Sequence, residues 1–495
     1  MSERKQASSG YVPVKTRILA GLAAGLYPFL HYYTNNFNLA DSWPQFLFLT
    51  SLCLVAPVVI AIALPVLFRI RPLKRWSKYS LSVFNFVYFT GLLGLLIFHF
   101  RKVTFLLILA GVGLLGLVLY RYLSKIVILQ YLLAIMSFVT LVPRLLFVSN
   151  YNYDWPALTE TLDEVKLKST PNIYFIQPDG YANFSALREP PYNHLDRGFE
   201  YWLNAKGFVH YDDFRSNYFT TLSSNSAVFA MRHHYYEIIH KSTAKTYNTQ
   251  EVIVGDNVTL RLLKNNGYKN HLFTDNTFFL LNRKMRGFDY CNIPRSSLSY
   301  YKVGPRKDID MVADFRKVMA DQDDRPNFYF IEKTVPGHIE NSKHNTRGKE
   351  VEREKYLESL EVANQWLQDI INTIFQHDED PLIFIMADHG GYVGLDYLSE
   401  LDERKLNELE THSVYTAIMS VRYPGDSIPA DLTMRSGVNV FRNLFFHLSK
   451  DSLLLKSYQP DSSIIYTEND FVEVYKCIDE NGVYGYKKIP QGVEE

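Results

Sequence analysis

An aspartate and a histidine stand side by side at Asp388 and His389, directly behind the apolar run Leu382–Ala387 and ahead of Gly390 and Gly391. A buried strand ending in such a pair holds one carboxylate and one imidazole rigidly on a short turn. A second carboxylate from a neighbouring strand would complete three ligands for a divalent cation and leave a position for a substrate oxygen. Asp179, which follows the apolar run Ile173–Gln177, is placed to supply it. Both acids also have a plainer use. Asp388 can cap the glycine turn while His389 packs, and Asp179 with Gly180 is an ordinary turn signal.

The elements that must position these residues are legible from about Pro171 onward. Short apolar runs read as strands at Ile173–Gln177, His271–Thr274, Phe328–Ile331, Leu382–Ala387 and Ala417–Arg422, and Glu350–Phe375 reads as a long amphipathic helix. Strands alternating with helices predict an α/β fold with a central, mainly parallel sheet. Three of the strands run into acids, at Asp179, Asp275 and Asp388. Ligand sites in open α/β sheets gather at the carboxyl ends of strands, which draws attention to the same residues.

Five segments in order resemble the alkaline phosphatase and sulfatase superfamily. Asn172 to Tyr181 and Pro381 to Gly391 resemble its first and last metal-binding strands, and Leu263 to Tyr268 resembles the helix-to-strand turn of sulfatase domains. Arg215 to Ser224 resembles the nucleophile segment of membrane-anchored, sulfatase-like proteins, and Val438 to Phe445 a helix near the end of those domains. The resemblance spans roughly residues 170 to 450. It implies that Asp179, Asp388 and His389 bind one divalent metal (zinc, manganese or magnesium), with a nucleophile near Thr221 also on the metal. True sulfatases usually place a cysteine there, and none occurs in this segment. The chain is therefore more similar to transferases that use threonine, moving phosphoethanolamine or phosphoglycerol from a phospholipid to a cell-surface glycan or lipopolysaccharide. Thr221 aligns best with the family threonine. Thr220, Ser223, Ser224 and Ser226 compete, and a hydroxyl-rich helix cap is compatible with all of them. The resemblance also implies a substrate-binding or second-metal role for His338, in the stretch Thr334–Ile339, and His412, ahead of the strand Ala417–Arg422, is placed to be a further ligand or proton donor. His233 and His234 read as surface or packing residues. The first strand carries one acid where sulfatases usually have two, which favours a single metal. Two rival readings use the same fold: a sulfate or phosphate ester hydrolase, and a catalytically degenerate envelope-assembly protein.

The long apolar runs lie before residue 150. A helix needs about 20 mainly apolar residues to cross a bilayer, and five segments are expected to do so: Ile18–Tyr33, Phe46–Phe68, Leu81–Phe100, Val103–Tyr120 and Ile126–Val148. The first, ending at His31, Tyr32 and Tyr33, also fits an uncleaved signal anchor. Basic residues cluster at Arg4, Lys5, Lys15 and Arg17, at Arg69, Arg71, Lys74, Arg75 and Lys78, and at Arg121 and Lys125. By the positive-inside rule these stretches are cytoplasmic. The remainder then lies periplasmic or extracellular, on a bacterial inner membrane. Arg101 and Lys102, in an external turn, run against that count. No Asp or Glu falls within the spans, Arg144 is placed to snorkel outward, and Asn85 and Gln130 are among the few polar groups. The bundle therefore reads as an anchor and lipid-facing platform rather than a transport pathway.

The expected organisation is a transmembrane domain over 1–150, a linker over 151–170, the sulfatase-like domain over 171–450, and a tail over 451–495 packed on it with a hairpin at Asn481–Gly482. The 52 Lys and Arg balance 52 Asp and Glu, so no excess positive charge marks a nucleic-acid surface. Of the three cysteines, Cys291 and Cys477 could pair in an oxidising compartment, while Cys53 lies in a span.

Overall fold

The computed structural model describes residues 12–36, 42–69, 71–98, 101–151, 154–158, 161–238, 248–280, 285–306, 308–426, 429, 432–468, 472–490 and 492. Arg4, Lys5 and Phe100 lie outside the described residues. Two compact units result, one of residues 1–151 with 299–302 and one of the remainder.

The first unit is helical. Three helices are long and apolar enough to cross a membrane: Trp43–Leu67, Lys74–Phe98 and Tyr120–Asn150, with mean hydropathies of 2.7, 2.0 and 2.2. The apolar helix Lys102–Val118 is shorter, at 17 residues. Its Val103 and Leu107 are 71% and 69% exposed, as lipid-facing side chains are. The helix Val14–Asn36 spans 23 residues but stays outside the strongly apolar set. Its composition explains this. Besides Lys15, Arg17 and His31, it buries Ala20, Gly21, Ala23, Ala24 and Gly25, the small residues that let helix backbones approach closely. Of the five expected spans, three are thus long apolar helices and one is shorter, while the first, the one that also fitted a signal anchor, is rich in buried small residues.

Polar side chains tie these helices together. Asn85 and Gln130 exchange amide hydrogen bonds of 2.9 and 3.1 Å, and Asn85 Nδ2 also donates to the Ala20 carbonyl at 2.9 Å. Arg144 donates to the Thr34 carbonyl. A Cβ added at Gly25 would lie 1.5 Å from the Cys53 carbonyl oxygen, a backbone atom within the wide π-turn Ser51–Val55. Gly25→Ala is therefore expected to destabilise the helical unit by about 1–3 kcal/mol. Far-UV circular dichroism in detergent should show its melting temperature lowered by about 2–4 °C per kcal/mol.

The second unit is built on seven strands: β1 (Ile173–Pro178), β2 (Phe208–His210), β3 (Lys269–Thr274), β4 (Tyr290–Cys291), β5 (Asn327–Lys333), β6 (Leu382–Met386) and β7 (Met419–Arg422). Their order is β2-β7-β6-β1-β5-β3-β4. From β6 to β4 neighbouring strands are parallel, and β7 is antiparallel to both β6 and β2. The central strands β1 and β6 are buried along their whole length, as parallel strands covered on both faces must be. Side-chain alternation sorts the two faces. Tyr174 stacks on Tyr329, and Phe315 of the helix Met311–Met319 meets both edge-on. Phe175 stacks instead on Phe441 of the helix Val440–Ser449. Phe229 of the helix Thr221–Ala230 packs on both Phe330 and Phe441. The helix Lys349–His377 buries Tyr356, Leu360, Ala363, Leu367, Ile370 and Ile374, the three-and-four spacing of one helical face.

Residues 154–170 contribute buried Trp155, Leu162 and Val165. The chain ends in a separate antiparallel sheet of β8 (Ser463–Glu468), β9 (Val472–Ile478) and β10 (Tyr484–Ile489). Gly482, at φ +86°, turns β9 into β10. All three cysteines are free thiols, and Cys477 is buried with its Sγ donating to the Ser463 carbonyl.

Candidate metal centre and nucleophile

The carboxyl ends of β1 and β6 deliver three side chains to one point. Asp179 follows β1, Asp388 and His389 follow β6, and all three are buried. Their ligand atoms lie within 4.8 Å of one another. His389 Nε2 is 3.3 Å from Asp388 Oδ2 and 3.7 Å from Asp179 Oδ1. The backbone locks both turns. Asp388 Oδ1 accepts from the Gly180 amide at 3.2 Å, and the Tyr356 hydroxyl donates to the Gly180 carbonyl at 2.9 Å. The Gly391 amide donates to the Tyr192 hydroxyl at 2.9 Å. Gly180 has φ +70°, and a Cβ there would sit 2.3 Å from the Gly337 carbonyl oxygen, so glycine is required beside Asp179.

The tautomer of His389 follows from its neighbours. Nδ1 lies 2.8 Å from the Gly390 carbonyl, an acceptor only, so Nδ1 carries the proton and Nε2 presents a lone pair to the two carboxylates. A histidine that ligates a metal is typically fixed in this way. Asp179 Oδ1 and Asp388 Oδ2 have no hydrogen-bond partner among the described residues. Burial, and next the neighbouring Asp388, push the Asp179 carboxyl well above the usual range. Two carboxylate oxygens and one imidazole nitrogen converge here, a donor set fit for a divalent cation.

Thr221 opens the helix Thr221–Ala230, and its Oγ1 lies 3.3 Å from His389 Nε2. Three of the four competing hydroxyls are otherwise engaged. Thr220 is the N-cap and accepts from the Ser223 amide at 3.3 Å. Ser224 donates to the Tyr218 carbonyl at 2.8 Å, and Ser226 to the Ser223 carbonyl at 3.1 Å. The first amides of a helix have no acceptor within it, which suits the site to an anion.

His338 joins this group. Its ring lies 6.2 Å from that of His389, and Tyr392 packs against both at 5.8 and 5.0 Å. Its Nδ1 donates to the Ile339 carbonyl at 2.8 Å, leaving Nε2 as a lone pair, and burial lowers its pKa. Beside it is a polar cavity of about 340 Å³ that Glu340, Asn341 and Lys355 also line. His412 lies elsewhere. It lines a cavity of about 790 Å³ with Arg215, Arg435, Asp212 and Asp213. The structure thus brings Asp179, Thr221, His338, Asp388 and His389 together and puts His412 in a second cavity.

Two further acids stand near the cluster: Asp275, which the sequence marked as a strand-end acid without a role, and Glu332, which it did not single out. Glu332, next to the end of β5, is 1% exposed and takes a 2.5 Å hydrogen bond from Thr274 Oγ1. Burial, then Asp275 and Asp179, raise its pKa far above the usual range. Asp275, after β3, accepts from the Thr334 amide and hydroxyl at 3.1 and 2.9 Å, and burial raises its pKa too. Gln177 and Asn225 are fully buried, and their amide atoms have no partner among the described residues. Asn225 lies one helical turn beyond Thr221. The signal available beforehand was a run of acids at strand ends, of which Glu332 was hidden by following Ile331 directly.

His233 and His234, expected at the surface or in packing, are 2% and 0% exposed. His234 stacks on Tyr218 at 4.3 Å, and burial lowers its pKa to about 4. An imidazole held below its ordinary 6.5 contributes stability above that pH and loses it as pH falls toward 4. The loss expected by pH 4 is of order 3 kcal/mol. Melting of the full-length protein between pH 7 and pH 4.5 should show it, and His234→Gln should flatten the dependence.

Residues 213–417 match the family model described as Sulfatase. The chain carries a domain of the sulfatase family. That domain is of the sulfatase-like type of enzyme. No curated protein matches the chain. Solved structures similar to it include the C-terminal periplasmic domain of EcEptC from Escherichia coli in complex with zinc, at 11% identity, covering 64% of this chain and 95% of that one with a TM-score of 0.42. Another is the lipoteichoic acid synthase LtaP from Listeria monocytogenes, at 15% identity, covering 66% and 90% with a TM-score of 0.41. A third is the BT33494S-sulf protein of Bacteroides thetaiotaomicron, at 11% identity, covering 65% and 89% with a TM-score of 0.44. The matched span of the sulfatase-family domain includes Thr221, His338, Asp388 and His389, while Asp179 precedes it.

Proposed function

We propose that this protein is a metal-dependent phosphotransferase at the outer face of a bacterial cell membrane, with Thr221 as nucleophile. It would move a phospholipid head group, phosphoethanolamine or phosphoglycerol, to a surface glycan or lipopolysaccharide. The observation that carries this reading is the Thr221 hydroxyl, 3.3 Å from His389 Nε2 at the start of a helix. None of the three cysteines lies in that segment, so the nucleophile is a hydroxyl.

Asp179, Asp388 and His389, with Thr221, are the residues that would hold the metal. When bound, a divalent cation supplies Lewis acidity, favouring the ionised threonine and offsetting charge on the phosphoryl group. The chain does the rest. Thr221 Oγ1 forms a bond to phosphorus as the bond to the diacylglycerol oxygen breaks, and that oxygen leaves with a proton as diacylglycerol. An acceptor hydroxyl then attacks the phospho-threonine, and the Thr221 oxygen is released and reprotonated. His338, neutral and with Nε2 free, is suited to take or return a proton. The first amides of the helix Thr221–Ala230 offer donors to the phosphoryl oxygens. Apolar helices in the same chain keep the enzyme where a lipid donor is found.

Intact-mass spectrometry after incubation with phosphatidylethanolamine or phosphatidylglycerol tests this directly. An adduct of one phospho-head group, absent in Thr221→Ala, is the expected result and names the donor. Release of free head-group phosphate without an adduct would favour the hydrolase reading. Metal-loaded protein giving neither product would overturn both.

A further inference from the structure

The helical unit contains an apolar groove of about 530 Å³, its wall including Leu64, Trp76, Tyr79, Phe84, Tyr88 and Leu117. From Trp76 to Tyr88 the groove follows one helix for about 18 Å, at 1.5 Å per residue. One leaflet accounts for half of a hydrocarbon core about 30 Å thick, so the groove matches the reach of a single acyl chain. Two of its polar wall groups are satisfied within the helices: the Tyr88 hydroxyl donates to the Leu52 carbonyl at 2.7 Å and Ser80 Oγ to the Ser77 carbonyl at 2.8 Å.

The mouth of the groove is strongly basic. Arg69, Arg71, Lys74, Arg75 and Lys78 fall within ten residues, and no Asp or Glu occurs between Asp41 and Asp154. A further cation, Arg121, lies over the Tyr120 ring at 5.7 Å. The Tyr79 and Tyr120 rings meet edge-to-face at 4.7 Å, and Lys78 Nζ lies 4.7 Å from the first and 5.8 Å from the second. Arg75 sits over Trp76 at 5.5 Å. The aromatic side chains therefore hold cations at the rim of an apolar slot rather than letting them spread into water.

We propose that this groove binds one anionic phospholipid, with an acyl chain along the Trp76–Tyr88 face and its phosphate among Lys74, Arg75 and Lys78. Basic pockets between membrane helices recognise anionic head groups through the charge excess shown here. A zwitterionic lipid offers the same chain but brings a cation of its own to a rim that already has several. The site is independent of the metal centre and of the donor lipid that centre would consume.

The test is native mass spectrometry of the full-length protein in detergent, with equimolar phosphatidylserine and phosphatidylcholine of identical acyl chains. Neither lipid is one of the proposed donors. Wild type should retain one phosphatidylserine over phosphatidylcholine by about fivefold or more, the effect of a single well-placed basic residue. Arg75→Gln with Lys78→Gln should bring the ratio near one while preserving the far-UV spectrum. Val87→Trp, which fills the slot, should reduce retention of both lipids. Equal retention of the two lipids by wild type would overturn the proposal. So would a preference unchanged by the double substitution, or a lipid-free dimer that Val87→Trp returns to monomer.

Discussion

Thr221→Ala is expected to lower head-group transfer by about 10⁴-fold or more, the scale seen when an enzyme loses its nucleophile. The effect should be this large because three of the four neighbouring hydroxyls are already engaged. Thr220 is committed to capping the helix, and Ser224 and Ser226 donate to backbone carbonyls. A structural role for Thr221 predicts something different. The hydroxyl is not the helix cap, so alanine should leave the melting temperature within a degree or two while activity disappears. Thr221→Ser restores the oxygen without the methyl group and should recover a measurable fraction of turnover with its adduct. Single-turnover assays with radiolabelled lipid, run beside thermal melts, separate the two cases. A Thr221→Ala protein that still transfers head groups would move the nucleophile to another hydroxyl.

The second large effect is expected at Asp388. Asp388→Asn keeps the shape and the acceptor for the Gly180 amide but removes the charge, and should cost bound metal and about 10³-fold or more in turnover. Metal content by mass spectrometry and a chelator titration monitored by melting both read this out. Wild type at 100-fold excess of metal over its dissociation constant gains about 2.7 kcal/mol, and the variant should gain far less. Glu332→Gln provides the contrast. Burial raises the pKa of the Glu332 carboxyl far above the usual range, and Thr274 already donates to it, so a neutral isostere should retain metal binding. Equal metal content in Asp388→Asn and wild type would argue that this cluster is not the metal site.

The readability of the chain varied with the physics of each part. Asp179, Asp388 and His389 stood out because apolar strands ended abruptly in groups that a core does not tolerate unpaired. The helix Lys349–His377 was legible to within two residues of its expected ends, as its apolar face repeats over many turns. The direction of β7 was not legible, since a short buried strand has the same pattern whether parallel or antiparallel. Its expected start at Ala417 also moved to Met419, because Ala417 pairs with Ala182 in an isolated bridge instead. Hydropathy could not distinguish a helix facing lipid from one facing protein. Val14–Asn36 looked like a weak span because Ala and Gly serve close packing there, not solubility in hydrocarbon. The separation of His412 from His338 depends on how the sheet is wound, which no local spacing encodes.

The acids and hydroxyl of the cluster come from distant parts of the chain, with Asp388 roughly 170 residues after Thr221. At about 5–20 residues per second of synthesis, Asp179 and Thr221 are made about eight to forty seconds before Asp388 and His389 exist. Until β6 slides in beside β1, a cation meets one carboxylate and one hydroxyl, too few donors to be held. In the proposed enzyme metal acquisition would thereby wait for the pairing of β6 with β1, and a loaded protein would certify that these two strands have come together.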